Sequence, residues 1–296
     1  MESLQDVIEE NFCLKFELKT LAEVILRNES ERWVPGFLHS STEYSHIERY
    51  KLSCIYSKGK KVIDIACGVG KGSYVLAKEG GAYSVKGYDI QHDAIRYARW
   101  RNKLENVKFD FGDAEKLQAF EEFDLAVSFE TVEHLKDYKA FVKNIHNSLR
   151  SDGLFLVSTP ISSVAVNKNP INPYHVQEWG FKEFQKIISE YFIIEKIYVQ
   201  LYPLPLNSSS SIELQEVAAV NHSLSSRILR KLKIMLSNKP VSLDVINKNT
   251  GMITEETNMN ESLLPEIEEF VGQYDENELG VIRTGYQILV GRKKQL

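Results

Sequence analysis

Apolar residues along this chain fall into two alternating patterns: short unbroken runs, and longer stretches in which they recur three and four apart. The short apolar β-branched run at 61–66 reads as a strand covered on both faces, and 85–89, 107–114, 123–129 and 153–158 read as the strands that follow it. Helical spacing fills 72–78, 90–104, where Ala94, Ile95, Tyr97 and Ala98 share a face behind Asp93, and 138–149. Strands alternating with helices of this length predict an α/β fold built on a doubly wound, mostly parallel sheet with right-handed crossovers. Two further strands, at 191–199 and 284–291, are predicted to pair antiparallel and close the sheet as its sixth and seventh members. Ligands in such sheets sit beyond the carboxyl ends of the strands.

The same pattern divides the chain. Residues 1–54 read as a helical and looped leader, 55–202 as the core, 203–282 as a long insertion, and 283–296 as the last core strand and tail. The insertion opens on Pro203, Pro205 and the serine run Ser208 to Ser211, which reads as a linker. Residues 223–236 then form an amphipathic basic helix with Arg227, Arg230, Lys231 and Lys233, and 239–260 are polar and expected to be disordered. A basic helix of this kind serves as a lid, as a homodimer surface, or as a peripheral contact with a membrane or a lipid-linked glycan.

Charge narrows the range of functions. A net charge of −5 argues against a nucleic-acid partner, which needs a basic face to neutralise phosphates. The 3 cysteines, Cys13, Cys54 and Cys67, show neither paired nor metal-binding spacing, which fits a reducing, cytoplasmic setting. No His, Cys and carboxylate cluster has metal-ligand spacing in the sequence either, so no metal is expected. No apolar run approaches the length of a membrane span, and the acidic start predicts no signal peptide.

The chemistry is carried by a glycine turn and three aspartates. The first strand holds Asp64 and runs through Ala66 into Gly68, Gly70 and Gly72, where the chain turns into a helix whose free N–H groups face a ligand. A phosphate loop would need Ser or Thr after Gly70-Lys71, and Gly72 stands there. A dinucleotide fingerprint would need glycine where Ser73 stands. An acid inside the strand repels a pyrophosphate but suits a ligand with an ammonium group. Asp89 and Asp113 follow at the ends of the next two strands.

In these elements, and in their order, residues 55–200 resemble class I S-adenosylmethionine-dependent methyltransferases. The resemblance implies S-adenosyl-L-methionine as cofactor. It places Asp89 on the ribose hydroxyls with Ile90 beside it, Asp113 on the adenine amino group, and the Ala114 amide on a ring nitrogen. It sets Asp64 at one remove, acting through the loop amides or the methionine ammonium, with Ala66, Gly68 and Gly70 forming the turn. Ala66 stands where the family often has glycine. The leader, through Glu31-Arg32-Trp33-Val34-Pro35 and His46 to Tyr50, resembles bacterial glycan- and polysaccharide-associated methyltransferases, which implies that His46, Arg49 and Tyr50 fold over the cofactor or the acceptor.

A sugar hydroxyl needs a base to take its proton during methyl transfer. Two segments offer one. Glu130, Glu133 and His134 follow the fourth strand and resemble the family stretch lining the floor between cofactor and acceptor, with Glu130 nearest the strand end and expected to bind the cofactor. His175 lies in a loop with Tyr174, Gln177, Glu178 and Trp179, groups able to bind a polyhydroxylated acceptor. His134 or His175 is expected as the base, with Glu133 in support, and the sequence does not choose between them. The favoured reading is methyl transfer to an oxygen of a sugar or glycan-related acceptor. A small-molecule O- or N-methyltransferase for a quinone-like or amine acceptor, and a non-catalytic cofactor-binding subunit, remain alternatives.

Overall fold

The computed structural model of the protein describes residues 3–27, 40–202 and 264–295. The stretch 31–37, the basic helix at 223–236 and the polar segment 239–260 lie outside them. The apolar runs become β1 (Lys61–Ile65), β2 (Ser84–Asp89), β3 (Val107–Phe111), β4 (Phe123–Phe129) and β5 (Leu149–Pro160). These pair in parallel in the order β3-β2-β1-β4-β5. Two short strands, β6 (Val166–Asn167) and β7 (Glu178–Trp179), form a separate ribbon. The predicted antiparallel pair is β8 (Phe192–Leu201) and β10 (Gly285–Lys293), with β10 inserted between β5 and β8 and antiparallel to both.

The main sheet holds one strand more than the seven read from the pattern. β9 (Ile267–Glu269) extends the sheet edge by pairing with β8, so part of the stretch 264–282 belongs to the core sheet. Its sequence, Ile-Glu-Glu, has no apolar run, because an edge strand keeps most of its side chains in water.

Side-chain alternation sorts the sheet into two faces. On one, Val62, Val85, Leu125, Val127, Leu156, Ile288 and Val290 pack beneath α2 (Ser40–Ser57), α3 (Lys71–Lys78) and α4 (His92–Arg101). On the other, Ile63, Ile65, Ala126, Phe155, Val157 and Leu289 meet α5 (Tyr138–Ser148) and α6 (Phe181–Ser189) through Phe141, Ile145, Phe184 and Ile188. Each fully buried Leu, Ile or Phe contributes roughly 1.5–3 kcal/mol relative to exposure, so these two layers dominate stability. Among the described residues no helix is long and apolar enough to cross a membrane.

The leader packs onto the cofactor end of this core. The first helix, α1 (Leu4–Arg27), sets Phe12, Cys13 and Phe16 against Val69 of the glycine turn and against Tyr97 and Trp100 of α4. Ion pairs flank the contact, Glu9 with Arg96 and both Glu10 and Glu17 with Arg101. Partly exposed pairs are worth at most about 1 kcal/mol each, so the apolar contact holds the helix. α2 sits closer still. Its Tyr50 ring lies over Gly72, where an added Cβ would come within 1.9 Å of the ring.

Gly72→Ala is therefore expected to lower stability by about 1–3 kcal/mol through overpacking, read as a drop in the urea unfolding midpoint. An unchanged midpoint would show that α2 does not rest on α3 in this way.

Candidate active site

The turn after β1 is built from left-handed backbone. Ala66, Gly68 and Gly70 have φ of 61°, 54° and 79°, and two bonds fix the path, Cys67 N–H to the Tyr88 carbonyl and Gly70 N–H to the Cys67 carbonyl, both 2.9 Å. For Ala66 the left-handed region costs about 1–2 kcal/mol. The positive φ explains why glycine suits this position, beyond any question of pocket size. The three glycines do different things. A Cβ on Gly70 would lie 2.6 Å from Phe109 and one on Gly72 would enter the Tyr50 ring, so these two permit close packing. A Cβ on Gly68 would meet nothing within 4 Å, so the turn leaves its backbone open there.

The three aspartates stand at the carboxyl ends of β1, β2 and β3, but in different environments. Asp64 is fully buried and accepts from Ser73 Oγ at 2.6 Å and from Tyr50 Oη at 3.1 Å. Its partners are thus hydroxyls of α3 and α2 rather than loop amides, and burial pushes its carboxyl up to about 7. Asp89 takes the loop amides instead, accepting from Gly68 N–H at 2.9 Å and Gln91 N–H at 2.8 Å. Each of its oxygens keeps a second lone pair for a ligand hydroxyl. Ile90, beside it, is 59% exposed, an apolar surface directed to solvent at the same edge. Asp113 caps the short turn beginning at Ala114, accepting from Glu115 N–H at 3.0 Å, and Lys116 beside it holds its carboxyl below the usual range. Open backbone at Gly68, a partly exposed carboxylate at Asp89 and an exposed apolar side chain at Ile90 suit an adenosyl group with a polar tail.

Glu130 lies against the leader helix α2. It sits at φ 51° just past β4, accepts from Ser158 Oγ at 2.5 Å, and lies 3.8 Å from Arg49 Nη1. Arg49 is 1% exposed, donates to Gln200 Oε1 at 3.0 Å and stacks on Tyr286 at 4.6 Å. Two leader residues singled out in the sequence, Arg49 and Tyr50, therefore reach the strand ends directly, and half-buried His46 lies on the same helix. Arg49 could be suspected from the sequence. Gln200, Tyr286 and Ser158, its surroundings, gave no signal, because each lies inside a strand run.

The second cluster joins segments far apart in sequence. Glu133 and His134 form a turn after β4, and the Glu133 carbonyl accepts from Val176 N–H at 2.8 Å, pinning the loop before β7. His134 Nδ1 bonds the Tyr174 carbonyl at 3.1 Å, and the rings of His134 and His175 meet edge to face at 4.8 Å between centroids. Ligand atoms of Glu133, His134 and His175 all lie within 4.8 Å of one another. Sequence spacing could not reveal this grouping, since backbone pairing between two loops creates it.

Within the cluster the roles differ from the sequence reading. The carboxylate that holds an imidazole is Glu178, at 2.6 Å from His175 Nδ1, while Asn172 Nδ2 donates to His175 Nε2 at 2.9 Å. Glu133 is completely buried, with Oε2 near Thr159 Oγ1 at 3.3 Å and Oε1 without a hydrogen-bond partner. Burial and the nearby Glu130 charge raise its carboxyl well above the usual range. Trp179, read in the sequence as one of the groups able to bind the acceptor, is 1% exposed and packs in the core against Tyr138 and Phe184. Its size and apolar face are used for packing, and Tyr174, 47% exposed, is the aromatic side chain that this loop presents to solvent.

The family model described as a methyltransferase domain matches residues 56–198. The chain is 30% identical over 162 residues to a probable S-adenosylmethionine-dependent methyltransferase of Mycolicibacterium smegmatis, a match covering 53% of this chain and 62% of that one. It is 32% identical over 124 residues to a ubiquinone biosynthesis O-methyltransferase of Neisseria meningitidis, covering 40% of this chain and 49% of the relative. The chain thus spans less than two thirds of either relative's length. In fold it is similar to phosphoethanolamine N-methyltransferase 2 of Haemonchus contortus in complex with S-adenosyl-L-methionine, with a TM-score of 0.52, 16% identity, and coverage of 94% of this chain and 57% of that one.

The Asp64 environment has a consequence for stability. Because its carboxyl rises from 3.8 to about 7 on folding, the ligand-free folded state holds a proton that the unfolded chain releases between those values. Stability then falls as pH rises from about 4 to about 7, by about 1.4 kcal/mol for each tenfold difference in proton affinity. Urea unfolding of Asp64→Asn at pH 5 and pH 8 is expected to show a smaller difference between the two conditions than the parent protein. An equal difference in both proteins would place the pH dependence elsewhere.

Proposed function

We propose that this chain, whose residues 56–198 match a methyltransferase domain, is a class I S-adenosylmethionine-dependent methyltransferase that moves a methyl group onto an oxygen of a sugar or glycan-related acceptor. The cofactor supplies the methyl group on a sulfonium, already a strong electrophile, so the protein's work is alignment, exclusion of water and handling of the acceptor proton. Asp89 would receive the ribose hydroxyls, steadied by its bonds from the Gly68 and Gln91 amides. Ile90, Asp113 and Ala114 would frame the adenine, and the open backbone at Gly68 the methionine end.

The observation that carries the reading is the imidazole pair just past β4. Each Nδ1 faces an acceptor, the Tyr174 carbonyl for His134 and the Glu178 carboxylate for His175. A carbonyl only accepts, so His134 in its neutral form carries its proton on Nδ1 and a lone pair on Nε2. Such nitrogens suit a hydroxyl that must lose its proton as it is methylated. Around them Asn172, Tyr174 and Gln177 offer polar groups for an acceptor with several hydroxyls. A second reading, a quinone-like phenol as acceptor, is favoured by the relative named for ubiquinone biosynthesis.

Calorimetry is expected to show binding of S-adenosylmethionine and S-adenosylhomocysteine that Asp89→Ala weakens by about tenfold or more, the value of a lost hydrogen bond to a charged group. In a tritiated-methyl screen across nucleotide sugars, glycolipids and phenols, label is expected in a sugar product. His134→Ala should lower kcat by about a hundredfold while leaving cofactor affinity intact. Label confined to phenols would favour the second reading, and tight binding without any transfer would make the chain a non-catalytic subunit.

A further inference from the structure

We infer that Glu133, His134 and His175 form a binding site for one divalent first-row transition-metal ion of the zinc type. What the cation does there rests on the function proposed above, but its binding does not.

Three independent features point to it. First, the ligand atoms of the three side chains converge within 4.8 Å, the span of donors around a single ion, although the residues come from two loops. Second, Glu133 Oε1 is buried in a residue with no exposure and has no hydrogen-bond partner. An unpaired buried carboxylate oxygen is among the most costly arrangements a protein can keep, and metal coordination is one of the few things that removes the cost. Third, both imidazoles carry the outer support typical of metal ligands. A metal-binding histidine turns its other nitrogen to a carboxylate or a backbone carbonyl; His175 Nδ1 faces Glu178 Oε1 at 2.6 Å and His134 Nδ1 faces the Tyr174 carbonyl at 3.1 Å. On each ring the nitrogen that can coordinate the ion is then Nε2. At His175 the Asn172 amide now bonds to that nitrogen and yields it to the ion.

Two nitrogens and one carboxylate oxygen make a ligand set for zinc or a neighbouring metal with positions left open, and imidazole disfavours magnesium and calcium. An acceptor oxygen takes an open position. Coordination lowers its proton affinity; the proton leaves to solvent, the freed electron pair forms the bond to the methyl carbon, and the pair of the broken carbon–sulfur bond stays on sulfur. The two histidines then act as ligands rather than as the proton's final holder.

The test uses the full untagged chain, stripped with chelator and titrated with Zn²⁺ by calorimetry, with Co²⁺ absorption as a second readout. One equivalent is expected, with visible Co²⁺ bands of a low-coordinate site. His134→Ala and the near-isosteric Glu133→Gln should each weaken binding by more than about tenfold, and Glu178→Gln by about tenfold through loss of orientation. Circular dichroism and unchanged S-adenosylmethionine affinity check that these variants fold. Asp89→Ala should keep the Zn²⁺ site while losing cofactor, so failure of the methylation reading and failure of the metal reading are told apart. No saturable Zn²⁺ binding, or binding that all three substitutions leave unchanged, would overturn the inference.

Discussion

A single buried carboxylate, Asp64, joins the three pieces that shape the cofactor end of this protein. It stands on β1, one turn of backbone before the glycines, and binds a hydroxyl from α2 and a hydroxyl from α3. Taking an ionised carboxylate out of water costs several kcal/mol, and two hydrogen bonds to a charged acceptor return about 1.5–3 kcal/mol each. The cost of burial is the larger of the two, so the carboxyl gives up its charge more readily than usual. The arrangement also releases the loop amides from Asp64. They pass to Asp89, which is partly exposed.

The same division between buried support and accessible chemistry recurs past β4. Glu130, Ser158 and Arg49 interlock on the α2 face, and the left-handed backbone at Glu130 is held by those contacts. Glu133 lies buried with Thr159, while the two imidazoles stand partly open above it. Strain and unsatisfied polar groups concentrate in working sites because the surrounding packing can hold them there. Here the packing is supplied by the aromatic layer of Trp179, Tyr138 and Phe184 beneath the loop.

Much of the frame was legible in the sequence because it follows from local chemistry. Short strand segments alternating with helical spacing identified the sheet, and the glycines and aspartates fall at the strand-to-helix turn and the strand ends where the sequence put them. What escaped was set by contacts between distant segments. β9 has no apolar run to announce it. The meeting of His134 with His175 depends on Val176 N–H finding the Glu133 carbonyl, which no spacing rule encodes. Trp179 looked like a sugar platform because an indole serves a cleft or a core equally well, and only burial decides between them. Asp64 was expected at one remove from the ligand, and its partners proved to be the hydroxyls of Tyr50 and Ser73.

The reading of the whole molecule depends on an adenosyl ligand lying along the edge defined by Gly68, Asp89 and Asp113. A crystal structure of the full chain with S-adenosylhomocysteine measures this directly. The ribose hydroxyls should bond to Asp89 and the adenine should rest between Ile90 and Ala114. A ligand bound elsewhere, or an Asp89 that turns away from it, would contradict the assignment.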